Sequence, residues 1–195
     1  GAPAETLVLP WRVLGERVEV GLDGLSAFFL LPILVVAGLG SVYALGYWPA
    51  GAHPRNARRL RLAFGLLAGG VGLVVIARHA FAFLAGWEVM ALAAFFSITA
   101  EDEREEVRGA GFVYLVCTRA STLALTGAFV LLQSATHSFA LEGAAHVDPG
   151  TARAVFGLAL LGFAIKAGAM PLHLWLPGAH AMAPTHVSAL LSGVM

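Results

Sequence analysis

Long apolar runs broken by short polar links set the organisation of this chain. The first, Leu22 to Leu45, holds 24 residues, about 36 Å of helix against a hydrocarbon core of roughly 30 Å. Tyr43, Tyr47 and Trp48 mark its end as an interfacial aromatic anchor. An arginine-rich loop with Arg55, Arg58 and Arg59, and Arg61 beside it, leads to apolar runs at 62–77 and 80–100. Only Arg78 and His79 separate those two runs, which predicts a tight membrane hairpin. The acidic run Glu101 to Glu106, interrupted by Arg104, is read as ending the third span in water. A fourth span is predicted at 109–133, and a polar link through His137, Glu142, His146 and Asp148 follows. The fifth, at about 151–176, carries Lys166 and is predicted to break near Pro171, which removes a backbone donor and clashes with the preceding turn. Pro177 and Pro184 bracket a turn, and a sixth helix opens over 185–195.

Ahead of these runs, residues 1–21 alternate polar and apolar around Val18 and Val20, with Gly15 and Gly21 as punctuation. That predicts a short hairpin at the water interface, outside the transmembrane domain of 22–195. The sixth run has eleven residues, about 16 Å, or half a bilayer. The sequence is therefore expected to be part of a longer membrane protein. Asp23 is placed to cap the first span. Gly65, Gly69 and Gly72 have the spacing of a close helix approach.

Composition agrees with a polytopic, all-α membrane bundle. Hydrophobic residues make up 58% and charged residues 12% of the 195 positions, and mean hydropathy is +0.80, outside the range of soluble domains. Net charge is zero, so no global field favours nucleic acid. Arg55, Arg58, Arg59, Arg61, Arg104 and Arg108 fall on one side, against Arg12, Arg17, Arg78 and Arg153 on the other. The positive-inside rule then faces the amino terminus outward across the cell (inner) membrane. The single cysteine, Cys117, excludes an internal disulfide and a cysteine zinc site, and is expected to pack as a small apolar side chain.

The chemistry lies in charges that an apolar environment penalises. Each costs roughly 2.5–3.5 kcal/mol at bilayer depth, so such groups mark ion or proton paths. Glu88 falls in the middle of the third span, too short to reach water, and Lys166 lies just before the expected break. Carboxylate and lysine together make a proton relay, because the charge of one sets the affinity of the other for its proton. The plainer alternative is an interhelical salt bridge of Glu88 with Arg119 or Lys166. Arg119, about ten residues into its span, is a permanent charge able to tune Glu88 or to pair structurally. His173, His180 and His186 cluster around the prolines; they are candidates for proton transfer between a cavity and bulk water. Their spacing does not suit a metal, and no cofactor motif is present.

LDGLS at Leu22–Ser26, AGWEVM at Ala85–Met90 and IKAGAMPLHLWLPGAHAMAPTHVSALLSGVM from Ile165 resemble a known family. It comprises the antiporter-like proton-translocating subunits shared by respiratory complex I (NADH-quinone oxidoreductase), Mrp-type cation/proton antiporters and membrane-bound hydrogenases. HLWLPGAH and SALLSGVM bring the resemblance closest to the large membrane subunits of hydrogenase 4 (component B) and formate hydrogenlyase. The resemblance implies a fold of roughly fourteen helices with two inverted five-helix repeats, of which this sequence covers most of the first. It also implies that Glu88 and Lys166 form the charged pair of a proton half-channel. Many complex I members carry a histidine where Ser192 stands, so that relay role does not transfer directly; His186 and His180 are the candidates to replace it.

The expected function is proton translocation by a subunit with no redox centre of its own. Its partners would be other membrane subunits and a peripheral redox arm, and its cargo protons, with sodium as the alternative ion. The rival readings are a stand-alone Mrp-type sodium/proton antiporter subunit and a non-conducting membrane anchor of a redox complex.

Overall fold

The computed structural model describes residues 5–13, 15–141 and 147–194. Residues 1–4 of the expected hairpin, Glu142 and His146 of the expected link and Met195 of the sixth helix lie outside the described residues. Two strands, β1 (Glu5–Val13) and β2 (Glu16–Leu22), pair antiparallel from Glu5 opposite Leu22 to Val13 opposite Glu16, with an irregularity between Val8 and Arg12. Seven helices follow among the described residues: α1 (Gly24–Tyr47), α2 (Ala57–Ile76), α3 (Ala80–Ile98), α4 (Glu105–Thr136), α5 (Pro149–Ala167), α6 (Leu176–Met182) and α7 (Thr185–Val194). The first five are long and apolar enough to cross a membrane.

Asp23 caps α1 by accepting the Ser26 N–H at 2.7 Å. It also receives Arg78 at 2.6 Å, which ties the start of α1 to the α2–α3 turn. A backbone bridge of Val20 with Ala77 and another of His79 with Ala140 join the hairpin, that turn and the link after α4 on one face. Glu16 adds to this by accepting the Phe139 N–H at 3.0 Å. On the opposite face Arg55 pairs with Glu103 and Arg59 with Asp102, both at 2.8 Å. Arg59 further donates to the Thr99 carbonyl at 2.8 Å, closing the end of α3 onto the start of α2.

Close helix approach uses other glycines than Gly65, Gly69 and Gly72. A Cβ on Gly65 or Gly69 would meet nothing within 4 Å, and one on Gly72 only a leucine methyl at 3.8 Å. At Gly70 it would lie 2.7 Å from the Met90 backbone nitrogen, and at Gly86 3.1 Å from the Gly70 carbonyl. Gly70 and Gly86 therefore form the contact between α2 and α3, where only hydrogen fits. Around it Leu67, Val71, Met90, Ala94, Ile98, Leu190 and Val187 make the buried core. Cys117 packs beside that core as a free thiol.

Several predicted boundaries move. Helix α2 begins at Ala57, because the interfacial residues Ala57 and Leu60 bury their side chains. The acidic run does not all lie outside helix: Glu105 and Glu106 form the first turn of α4, where carboxylates complement the helix dipole. The fifth span is shorter than 151–176. It ends at Ala167, and the break is made by Gly168 rather than Pro171. Gly168 takes the left-handed conformation, φ 66°. Its N–H reaches the Ile165 carbonyl, and the Ala169 N–H reaches Ala164 at 2.9 Å. That is a glycine-terminated cap of the Schellman type. Pro171 follows inside an already non-helical turn, and Pro177 lies in the first turn of α6, so the stretch up to Pro184 holds a short helix rather than a plain turn.

Candidate proton relay site

Lys166 stands in the last turn of α5, where a cation complements the carbonyl end of the helix. One turn earlier, Gly162 lets α5 press onto α4: a Cβ there would lie 2.7 Å from the Leu125 side chain. The Ser121 hydroxyl donates to the Gly162 carbonyl at 2.8 Å and holds that contact. The result is a lysine only 4% exposed. Its Nζ donates to the Tyr114 hydroxyl at 3.2 Å and lies 5.5 Å from the ring centroids of both Tyr114 and Trp87. Aromatic faces at that range attract an ammonium. Phe163 and Phe83 brace Trp87, and Trp175 packs edge-on against Tyr114.

The broken backbone is satisfied on the same side. Trp175, two residues beyond the histidine of the turn, donates its indole N–H to the Ile165 carbonyl at 2.8 Å. That bond spans the gap between α5 and α6, so the chain passes the break without leaving this carbonyl bare.

Glu88, on α3 next to Trp87, has different partners. Arg119 of α4 donates to one carboxylate oxygen, and Thr122, one turn on, donates to the other at 2.6 Å. Both side chains of the ion pair are partly exposed, 30% for Glu88 and 40% for Arg119. Arg119 keeps Nε and Nη2 buried without a hydrogen-bond partner among the described residues. No carboxylate lies within ion-pair distance of Lys166 among those residues. Of the two salt bridges open to Glu88 in the sequence, the structure forms the one with Arg119.

The histidines disperse. His173 lies in the turn after Gly168, with Nδ1 buried and unpartnered among the described residues. His180, on α6, meets the Ser188 hydroxyl of α7 at 2.9 Å. His186, at the start of α7, is buried between Tyr47 and Phe64. None of them hydrogen-bonds to Glu88 or Lys166 in the described residues.

Two residues that touch the charges, Tyr114 and Thr122, were not singled out in the sequence. A signal was available. Tyr114, Thr118, Ser121 and Thr122 recur at helical spacing along one face of an otherwise apolar span, and such a polar stripe must face protein rather than lipid.

The family pattern described as NADH:quinone oxidoreductase/Mrp antiporter, TM, matches residues 77–195. An uncharacterised protein of Mycobacterium tuberculosis is 36% identical over 194 residues, covering 99% of this chain and 30% of that protein. Hydrogenase-4 component B of Escherichia coli is 35% identical over 176 residues, covering 89% of this chain and 26% of that protein. The chain thus spans about a third or less of these relatives. Among solved structures, a chain of the Mrp complex from a Dietzia species superposes with a TM-score of 0.81 at 22% identity, over 96% of this chain and 21% of that one. With that pattern matched over more than half its residues, this chain belongs to the family of NADH:quinone oxidoreductase and Mrp antiporter transmembrane subunits.

Proposed function

We propose that this chain forms part of a proton-translocating subunit in a multi-subunit membrane oxidoreductase of the hydrogenase-4, formate hydrogenlyase or complex I type. Electron transfer in a peripheral redox arm drives it. The observation that carries this reading is the separate holding of two charges: Lys166 by a hydroxyl and aromatic faces, Glu88 by Arg119 and Thr122. Because Glu88 and Lys166 are not locked to each other, a change of charge at one can still alter the proton affinity of the other. A proton arriving at Glu88 would loosen its hold on Arg119 and alter the field at Lys166. Lys166 would then take up or release a proton beside the Gly168 break. Moving one elementary charge against 100 mV costs about 2.3 kcal/mol, within reach of such a change in pairing.

The relationship to E. coli hydrogenase-4 component B supports an oxidoreductase setting. Orientation follows from the arginines. Arg55 and Arg59 join the α3–α4 loop, which carries Arg104, with Arg108 at the start of α4, and the rule for cytoplasmic charges supports an inward orientation of that face in the cell (inner) membrane. The hairpin then faces outward.

The test is Lys166→Ala and Lys166→Arg in the full-length protein within its complex, reconstituted in vesicles, with electron transfer and proton pumping measured separately. Electron transfer that continues while pumping falls in Lys166→Ala supports the relay. Pumping at the wild-type rate in Lys166→Ala makes the chain a non-conducting anchor. Transport that needs sodium and proceeds without electron transfer assigns it to the Mrp-type antiporters.

A further inference from the structure

Two grooves of about 430 Å³ each open on the lateral surface of the bundle at its arginine-rich end, one on either side of α3. Leu62 and Leu66 of α2 line the first with Val89 and Leu92 of α3. Phe95 and Thr99, at the end of α3, line the second with Phe112 and Leu115 of α4. Phe96 and Arg59 line both. Phe96 is thus the ridge between the grooves, and Arg59 the point where they meet. The Arg59 guanidinium is already engaged, Nη1 with Asp102 and Nη2 with the Thr99 carbonyl, both at 2.8 Å. What it offers the grooves is its methylene stem, which roofs them while the charge stays at the interface.

Below that roof the walls are apolar. The exception, Thr99, donates its hydroxyl to the Phe95 carbonyl at 2.8 Å. Leu62, Phe96 and Phe112 project as crests, 66%, 46% and 67% exposed, which keeps a second helix backbone off the groove floors but lets a flexible hydrocarbon chain lie between them. On α3 the first groove extends from Phe96 to Val89, about 10 Å of helix, within one leaflet of a hydrocarbon core roughly 30 Å thick. At the mouths the unpaired charge is positive. Arg58, exposed, stands one helical turn before Leu62, and Arg108, exposed, one turn before Phe112. Arg58 forms no hydrogen bond or ion pair among the described residues. Arg108 donates through Nη1 to the carbonyls of Asp102 and Glu103 at 3.0 and 2.9 Å, which leaves Nη2 and Nε for another acceptor. The nearby acids are held, Asp102 by Arg59, Glu103 by Arg55, and Glu101 and Glu106 by Arg104; Glu105 alone of this run lacks a cation among the described residues. A guanidinium with open donors suits a phosphate.

From this arrangement we infer that the arginine-rich end of α2, α3 and α4 holds one anionic phospholipid astride α3, with an acyl chain in each groove on either side of Phe96 and its phosphate between Arg58 and Arg108. The two apolar grooves meeting under one cationic roof have the shape of a diacyl lipid, and the open donors at their mouths have the opposite charge to its headgroup. The site lies apart from the Glu88–Arg119 pair, which sits further along the same two helices, α3 and α4. A lipid so placed ties together the ends of the helices that carry that pair. The inference does not depend on transport of any ion.

The test is photo-crosslinking in the full-length protein within its complex, held in phosphatidylcholine vesicles that contain a small fraction of a lipid with a diazirine on its acyl chain. The probe lipid is either phosphatidylglycerol or phosphatidylcholine with the same chains, and the linked peptides are mapped by mass spectrometry. Because each arginine near a headgroup favours an anionic lipid several-fold, phosphatidylglycerol should label the stretches 62–66, 89–96 and 112–115 at least about five-fold more than phosphatidylcholine does. The exposed face of α1 around Leu39, which has no arginine above it, should show no such preference. Arg58→Gln with Arg108→Gln should bring phosphatidylglycerol down to the phosphatidylcholine level, and Arg58→Lys with Arg108→Lys should keep most of the preference. Leu92→Trp, at an exposed position that fills the first groove, should lower labelling of 62–66 several-fold and spare 112–115. Equal labelling by the two lipids in the wild type overturns the site, leaving only ordinary boundary lipid. Labelling absent with both overturns it too, since another segment of the longer protein or a partner subunit then covers the face. Should the glutamine variant fail to assemble, Leu92→Trp decides: unchanged labelling of 62–66 there overturns the proposal.

Discussion

The Nζ of Lys166 rests 3.2 Å from the hydroxyl of Tyr114 and on no carboxylate of the described chain. A lysine this buried with a neutral oxygen as partner depends on that oxygen. Tyr114→Phe keeps the ring, its face toward Lys166 and its packing on Trp175. It removes only the hydroxyl, at a cost of roughly 1–3 kcal/mol for a buried polar group left unpaired. Thermal unfolding of the detergent-solubilised protein should register the loss. In a Lys166→Met background the same substitution should be close to neutral, and a full penalty there would show that the hydroxyl serves something else.

Glu88 and Arg119 should behave as one unit. Single substitutions Glu88→Gln and Arg119→Gln each strand a charge, whereas the double variant strands none. The double variant should therefore be more stable than the sum of the singles implies, by about 0.5–3 kcal/mol. Additive losses in a double-mutant cycle would mean that the ion pair seen here contributes nothing.

The α2–α3 contact makes a sharp contrast between adjacent glycines. Gly70→Ala drives a methyl into the Met90 backbone, 2.7 Å away, and overpacking of this kind costs about 1–3 kcal/mol. Gly69→Ala meets nothing within 4 Å and should be neutral or slightly stabilising, because alanine favours helix. Melting temperatures of the pair decide it.

Acid should loosen the helix ends before the membrane interior. The Ser26 backbone N–H, then its hydroxyl and Arg78, hold Asp23 below its ordinary value of 3.8. The Thr151 side chain and N–H do the same for Asp148, from the same ordinary value of 3.8. Each carboxylate binds its proton more weakly folded than unfolded. The stability it contributes is complete above that ordinary value and disappears as pH falls through the lower folded one. Asp23→Asn and Asp148→Asn, which retain capping side chains, should flatten the fall of melting temperature between about pH 5 and pH 2. An unchanged acid slope in the double variant would place the acid sensitivity elsewhere.

Much of this molecule is decided by the sequence itself. Apolar runs long enough to cross a bilayer have to be helices, because lipid offers backbone groups no other partner. The five long helices, the turn at Arg78 and His79, the Asp23 cap and the hairpin follow from local pattern, as does the placing of Glu88, Arg119 and Lys166 within long apolar helices. Helix ends were less legible: a proline at 171 signals a break, but the left-handed glycine three residues earlier makes it, and both belong to one short stretch. Pairing was not legible at all. Whether Glu88 meets Arg119 or Lys166, whether Gly70 or Gly69 touches a neighbour, and whether Phe96 divides two grooves depend on the rotation and depth of one helix against another. Those are set by packing among side chains far apart in the chain, so only the tertiary structure could decide them.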